Sequence, residues 1–419
     1  MLYIVLTTGS CNLRCDYCGG SFDPSLVPPR PMYDLEKLLR MIRGDPDPIV
    51  AFYGGEPLLN MPFLERVVRE LRGTSRLVLQ TNGTLVRKVD REVLRSFDAI
   101  LISIDGVKEL TDAHRGRGIY ARAVDAAGYL RSIGYSGDLI ARMTVTGDTD
   151  IARDVRHLLS LGLFDHVHWQ LSVIWSPRWN FEEWSIRSYL PGIESLAEEW
   201  SSNIERGRVL GIAPFQGIVK RHLMGGPYPP CGAGSEAIAV STDGRILACP
   251  IAISERWAEM GSLESGFSRR AYPVAEECSG CPYFRECGGR CLYSFMERLW
   301  GDDGHRSVCE VTKATIRAVL RRMPRLELAV ASGVVRWEDI MYPKFNNTIE
   351  IIPRRPVAGP ARIRIARDPS AQSPRPRNAL EIMSPTISSV TSKGTSPVSP
   401  LRISMALALR PSSSPSENP

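Results

Sequence analysis

No stretch of this 419-residue chain is apolar for long enough to cross a bilayer, and its opening residues, MLYIVLTTGS, lack a basic leader and a small-residue cleavage site. These absences exclude a membrane partner and predict a cytoplasmic protein. A sustained excess of one charge is also missing once the net +6 is divided along the chain. Residues 354–419 hold ten Lys or Arg against three acids, a balance of +7 that leaves −1 for everything before them. That tail, with its SPRPR and RPSSSPSENP, is rich in Pro, Ser and Arg and lacks a sustained apolar period, so it is expected to be disordered. The charge therefore gives no ground for a nucleic-acid partner. Without an export signal, the ten cysteines argue for metal ligation or redox chemistry rather than a disulfide framework.

From residue 1 to about 215, short apolar strand patterns alternate with helical ones, the signature of βα units on a parallel sheet. The strands are LYIVLTT, IVAFYGG, RLVLQTNG, AILISIDG, DLIARMTVT and HVHWQLSVI; helical runs such as DLEKLLRMIR, MPFLERVVREL and DIARDVRHLLSLG lie between them. Six strands are fewer than a closed eight-stranded barrel needs, so an open, partial (β/α)6 TIM-like barrel is expected. In such barrels the chemistry sits on loops at the carboxyl ends of the strands. The polar motifs of this chain fall at those ends.

Directly after the first strand comes CNLRCDYC, with Cys11, Cys15 and Cys18 in one short loop. Three thiolates can hold three irons of a [4Fe–4S] cluster and leave the fourth open to a small molecule bound through a carboxylate and an amine. Taken alone, the loop could also be part of a zinc site or a thiol pair. The C-x3-C-x2-C spacing, with the aromatic Tyr17 before the last Cys, resembles the radical S-adenosylmethionine (SAM) enzymes. That resemblance implies that the fourth iron chelates SAM and that an electron from the cluster cleaves it to a 5′-deoxyadenosyl radical. It also implies that YGGEP, ending the second strand, receives the SAM amino group, with Gly54 and Gly55 allowing close approach and Glu56 accepting from the ammonium. Ser103, Asp105 and Arg115 match positions that contact the SAM ribose or carboxylate, or the substrate, in related enzymes; Tyr17, Asn82 and Arg142 are further candidates for binding the cofactor. Asp105, His168 and Gln80 are the candidates for a catalytic role. Strand alternation puts His168 and Gln170 on one face and Trp169 on the other.

The seven remaining cysteines follow as Cys231, Cys249, Cys278, Cys281, Cys287, Cys291 and Cys309. From spacing alone the central run could be a four-cysteine zinc knuckle. The whole pattern, with STDGRILACP as a hairpin turning at Asp243-Gly244, resembles the SPASM extension of radical SAM enzymes. This implies two auxiliary [4Fe–4S] clusters: an outer one on Cys278, Cys281, Cys287 and Cys309, and an inner one on Cys231, Cys249 and Cys291. Members with a fully ligated inner cluster carry a further cysteine just upstream, where this chain reads LMGGPYPPC. An open or non-cysteine-ligated inner iron is therefore expected, one that could take a substrate cysteine or an exogenous ligand, or belong to an electron relay.

The expected organisation is a radical SAM barrel over 1–215, a SPASM domain over 216–325, a helical or irregular segment over 326–353 and the tail over 354–419. Within the class, LYIVLTTGSCNLRCDYC, RGRGIY, ARMTV and HWQL look most like archaeal-type peptide-modifying radical SAM enzymes. The implied activity is hydrogen abstraction from a peptide or protein, fed by a low-potential donor such as a ferredoxin or flavodoxin. Sulfatase-maturing enzymes are the alternative within the class. Two of their features are absent: an Asp base follows the counterpart of Cys249, where Pro250 stands here, and an aromatic lies where Gly20 stands. A radical enzyme acting on a small molecule and a non-catalytic zinc and iron–sulfur module are the other readings.

Overall fold

The computed structural model describes residues 1–173 and 178–342. Its first half is a run of βα units. β1 (Leu2–Thr8) leads to α1 (Leu35–Arg43), β2 (Ile49–Gly54) to α2 (Met61–Leu71), and β3 (Arg76–Thr81) to α3 (Arg91–Arg95). β4 (Ala99–Ser103) follows, then α4 (Lys108–Arg115), α5 (Ile119–Ser132), β5 (Asp138–Val145), α6 (Ile151–Ser160) and β6 (His166–Leu171). All six strands pair in parallel in sequence order, and β6 ends the sheet. This is the open partial barrel the sequence predicts.

Local chemistry explains the helix starts. Asp34, Asp90 and Asp150 each accept a backbone N–H from the first turn of the helix that follows, satisfying donors that a helix leaves unpaired. α1, α2 and α6 then bury one apolar face each; Leu38, Leu39 and Ile42 of α1 are fully enclosed. β1 is buried along its whole length, as a strand covered on both faces must be.

A second run of helices, α7 (Phe181–Trp184), α8 (Leu190–Ile204) and α9 (Ala213–Met224), packs against α6 and β6, with a π-helical turn at Ser185–Tyr189. The chain then returns to the same sheet. β7 (Ala237–Val240) pairs in parallel with β1, on the side opposite β2, and β8 (Arg245–Leu247), β9 (Glu259–Ser262) and β10 (Gly266–Phe267) add antiparallel strands outward. The β7–β8 hairpin turns at Asp243-Gly244 as expected, with Gly244 at φ +90°, a conformation natural to glycine. The continuation of one ten-stranded sheet into the cysteine-rich half has no counterpart in the sequence reading.

Short helices carry the later cysteines: α10 (Glu276–Ser279), α11 (Phe284–Cys287) and α12 (Leu292–Glu297). α13 (Gly301–Leu320), α14 (Met323–Ala331) and α15 (Trp337–Ile340) follow. α13 carries Cys309 within it, eight residues after its first residue. No helix among the described residues is long and apolar enough to cross a membrane. Ile174, the last residue of the sixth predicted strand, the end of the 326–353 segment and the whole 354–419 tail lie outside the described residues.

Candidate active site

The cysteine loop leaves β1 at its carboxyl end and is pinned from several sides. Cys11 N–H donates to Ser21 Oγ at 2.9 Å, and Leu13 N–H donates to Cys11 Sγ at 3.4 Å. Asn12 donates to Thr84 Oγ1 and accepts from Asn82 Nδ2, which ties the loop to the end of β3. Asp16 holds His114 Nδ1 at 2.7 Å, and the other ring nitrogen meets Asp148 at 2.9 Å. Cys15 is buried and donates its thiol proton toward Cys18, which pulls the Cys18 thiol down to about 6 and pushes Cys15 up. Burial raises the Cys11 thiol.

Gly54 and Gly55 press the end of β2 against the start of this loop. A Cβ on Gly54, at φ +134°, would stand 2.3 Å from the Thr8 carbonyl oxygen, and one on Gly55 would stand 2.1 Å from that of Ser10. Only glycine fits at either position. Glu56 follows and is 1% exposed. Its carboxylate accepts from Thr81 Oγ1 at 2.6 Å, Asn82 N–H at 2.8 Å and Leu58 N–H at 3.1 Å. Burial outweighs these bonds and pushes the carboxyl up to about 7.

A cleft of about 1040 Å³, counting its open mouth, lies over the carboxyl ends of the strands. Cys11, Cys15, Cys18 and Tyr17 line it from the loop; Gly54, Gly55 and Glu56 line it from the end of β2. The other strands and α4 contribute Gln80, Asn82, Ser103, Arg115 and Arg142. Twelve sequence-selected residues thus converge on one cavity. Gln80 Oε1 is buried there without a hydrogen-bond partner. The motif search did not select Tyr53, Ser21, Phe22, Met143 or Thr144, which also line the cleft.

Two selected residues lie behind the wall instead. Asp105 is fully buried and bonds Arg115 through both carboxylate oxygens, at 2.7 Å each. It also accepts the Tyr17 hydroxyl at 2.9 Å and Thr144 N–H at 2.8 Å, so its acceptor positions face protein groups rather than the cavity. Arg115 additionally lies over the Tyr17 ring, 5.4 Å from its centroid. His168 sits beside Arg142 on adjacent strands, 1% exposed, with its Nδ1 on Arg142 Nη1. Burial, then the charge of Arg142, holds the imidazole well below its usual range and therefore neutral. Trp169 turns to the opposite face, as alternation requires, and donates to the Tyr189 hydroxyl.

The back-half thiols fall into two neighbourhoods. The Cys249 thiol is raised by burial and then by Cys291 and Cys231. Cys278 is raised by burial and by Cys309 and Cys281; Cys287 is pushed up to about 11 by burial, with Cys309 and Cys278 adding. The cysteine charges acting on Cys249 thus come from Cys231 and Cys291, and those acting on Cys278 and Cys287 come from Cys278, Cys281 and Cys309. Among the described residues, no three Cys, His, Asp or Glu side chains converge tightly enough to chelate a single metal ion.

The fit of the front site to SAM and its cluster can be judged on the cavity itself. Three thiols share one loop, two glycines bring that loop against Glu56, and an unpartnered amide oxygen lies in the same cleft. These residues fit the group. Residues 5–161 match the Radical SAM superfamily, so the chain is an enzyme with a radical SAM domain over those residues, followed by a cysteine-rich half. It is 22% identical over 336 residues to the cysteine-type anaerobic sulfatase-maturating enzyme of Clostridium perfringens (strain 13 / Type A), covering 69% of this chain and 88% of that one. It is 24% identical to the mycofactocin maturase MftC of Mycolicibacterium smegmatis, over 68% and 76%. Among solved structures, native anSMEcpe with bound AdoMet superposes with a TM-score of 0.63 at 19% identity, covering 79% of this chain and all of the other. Streptococcus suis SuiB bound to precursor peptide SuiA gives 0.50 at 13%, over 71% and 72%.

Proposed function

We propose that this enzyme binds SAM in the cleft and abstracts hydrogen from a residue of a peptide or protein, leaving a post-translational modification. The observation that carries the reading is the juxtaposition of a three-thiol loop and the buried carboxylate of Glu56 in one open cavity. Cys11, Cys15 and Cys18 would hold three irons of a [4Fe–4S] cluster, which would supply the electron for reductive cleavage of SAM to methionine and a 5′-deoxyadenosyl radical.

The chain's own residues bind and orient. Glu56, ionised by an arriving ammonium, accepts from the SAM amino group beside the Gly54-Gly55 approach. Asn82, Ser103, Arg115 and Arg142 take the ribose and carboxylate. Asp105 acts through Arg115 and Tyr17 as a positioning residue, and neutral His168 does the same through Arg142. Gln80 Oε1 is available to a donor on the substrate. Residues 1–215 form the SAM-binding unit and residues 216–325 the unit of two auxiliary clusters, held by Cys278, Cys281, Cys287 and Cys309 and by Cys231, Cys249 and Cys291. A cytoplasmic ferredoxin or flavodoxin is the electron source.

A peptide substrate is favoured over a small molecule by similar structures whose complexes hold peptides: SuiB with precursor peptide SuiA, and native anSMEcpe with the Cp18Cys peptide. Sulfatase maturation is disfavoured by two positions. Pro250 has no side-chain base, and a Cβ on Gly20, at φ +96°, would stand 2.8 Å from the Leu13 carbonyl oxygen, so no aromatic side chain fits there.

The test is SAM turnover. Anaerobically reconstituted protein with dithionite and SAM should release 5′-deoxyadenosine, and Glu56→Gln should weaken SAM binding at least tenfold. A wild type that yields no more 5′-deoxyadenosine than the Cys11/Cys15/Cys18→Ala variant would sink the reading.

A further inference from the structure

Arg221, in the last turn of α9, is 3% exposed and makes no ion pair among the described residues. Its Nε donates to the carbonyls of Glu286 at 2.9 Å and Arg285 at 3.2 Å, and Nη1 donates to that of Pro227 at 3.1 Å. Nη2 has no partner. The guanidinium thereby straddles Cys287: Nε holds the residue before it, while Nη2 lies against the residue after it. A Cβ on Gly288 would stand 2.7 Å from Nη2, and one on Gly226 would stand 2.6 Å from Nη1, so two glycines clear the space that the guanidinium fills. The ring of Tyr228 lies 5.5 Å from its centre.

A buried cation without a counterion is among the costlier arrangements a fold can keep, and carbonyl bonds alone do not neutralise it. Glu286 is the adjacent carboxylate, yet it spends Oε1 on His222 at 2.7 Å, and its Oε2 has no hydrogen-bond partner. Burial weakens the Arg221 guanidinium's hold on its proton, while Tyr228, Cys287, Glu286 and Glu236 strengthen it. What the site lacks is an anion beside Cys287. A cluster held by four thiolates is one, with a net negative charge that grows on reduction.

We propose that Arg221 is the buried countercharge of the outer auxiliary cluster and sets its reduction potential. The proposal rests on the auxiliary-cluster reading given above. A fixed positive charge stabilises the reduced cluster more than the oxidised one, because the reduced one carries the extra electron. Arg221 is thus a positioning and tuning residue, remote from the reacting atoms. Its carbonyl bonds would also serve a purely structural pin, and such a pin would leave the potential alone.

The test is a potentiometric titration of the reconstituted full-length protein followed by EPR, with iron counted in every sample. Arg221→Gln should make one auxiliary midpoint more negative by about tenfold in the reduction equilibrium, which is about 59 mV for a one-electron couple. Arg221→Lys, which keeps the charge, should shift it less. Glu286→Gln, which removes a neighbouring negative charge without emptying the Arg221 cradle, should shift the same midpoint the other way, and it carries the test if Arg221→Gln loses iron. Unchanged midpoints in variants that keep all their iron would overturn the proposal. A wild type with only about four irons would instead overturn the auxiliary-cluster reading, and this proposal with it.

Discussion

Around Cys11, Cys15 and Cys18 the anchors of the cysteine loop are partnered by protein, and Gln80 Oε1 in the same cleft is the exception. Asp105 is shared by Arg115, Tyr17 and a strand amide; His114 is gripped by two aspartates; Asn12 is held by Thr84 and Asn82. The back-half cysteines sit differently. α10 and α11 have four residues each and α12 has six, too few to be stable alone, and Arg221 Nη2 and Glu286 Oε2 are buried there without partners. The barrel thus frames its site through protein contacts, whereas on the proposed function the back half would be completed by metal. On that function, one region would use its cluster for chemistry and the other would use its clusters to fold.

The most forceful way to break this contrast is to remove thiols region by region. Replacing Cys278, Cys281 and Cys287 with Ala should lower the melting temperature by more than about 10 °C, since metal ligation that organises short helices contributes on the order of 10 kcal/mol. The Cys11/Cys15/Cys18→Ala variant should melt within a few degrees of wild type and lose SAM cleavage. Calorimetry on the two variants separates these outcomes, and equal melting losses would erase the contrast.

Next in size is the barrel's own network. Asp105→Ala strands the buried Arg115 and should cost about 3–5 kcal/mol in urea unfolding, as breaking buried ion pairs does. A loss below about 1 kcal/mol would mean that the front site is not preformed by protein contacts.

Glu56 gives a pH signature. Its folded pKa is raised, so the protonated form favours the fold, and stability from this group is lost as pH rises from about 4.5 through about 7. The loss in SAM-free protein should be on the order of 3 kcal/mol, and Glu56→Gln should remove that dependence. Urea titrations at pH 5 and pH 8 measure it. The smallest effect belongs to Gly244→Ala in the β7–β8 turn: about 1–2 kcal/mol for forcing a side chain to φ +90°, with cluster content unchanged on an iron assay.

Much of the barrel was legible because its units are local. Asp34, Asp90 and Asp150 mark helix starts, and the apolar runs mark strands to within a few residues at their carboxyl ends. The pairing of β7 with β1 joins segments more than 230 residues apart, and no local pattern encodes such a partner. The start of α13 was hidden because GDDGHRSVC is polar and glycine-rich; Trp300 packing against Trp179 and Phe181, with Arg298 bonded to Asp302, helps set it there. Twelve of the selected site residues line one cleft because motifs at strand ends share an address in this fold. Asp105 and His168 were candidates for a catalytic role, but spacing cannot show that Arg115 and Arg142 take up their polar atoms first.

Iron, sulfide and zinc per chain after anaerobic reconstitution test the division between the two regions most directly. About twelve irons, falling to about eight when Cys11, Cys15 and Cys18 are replaced by Ala, with no zinc, is the predicted result. About four irons with one zinc would contradict it, and would make the back half a structural zinc domain.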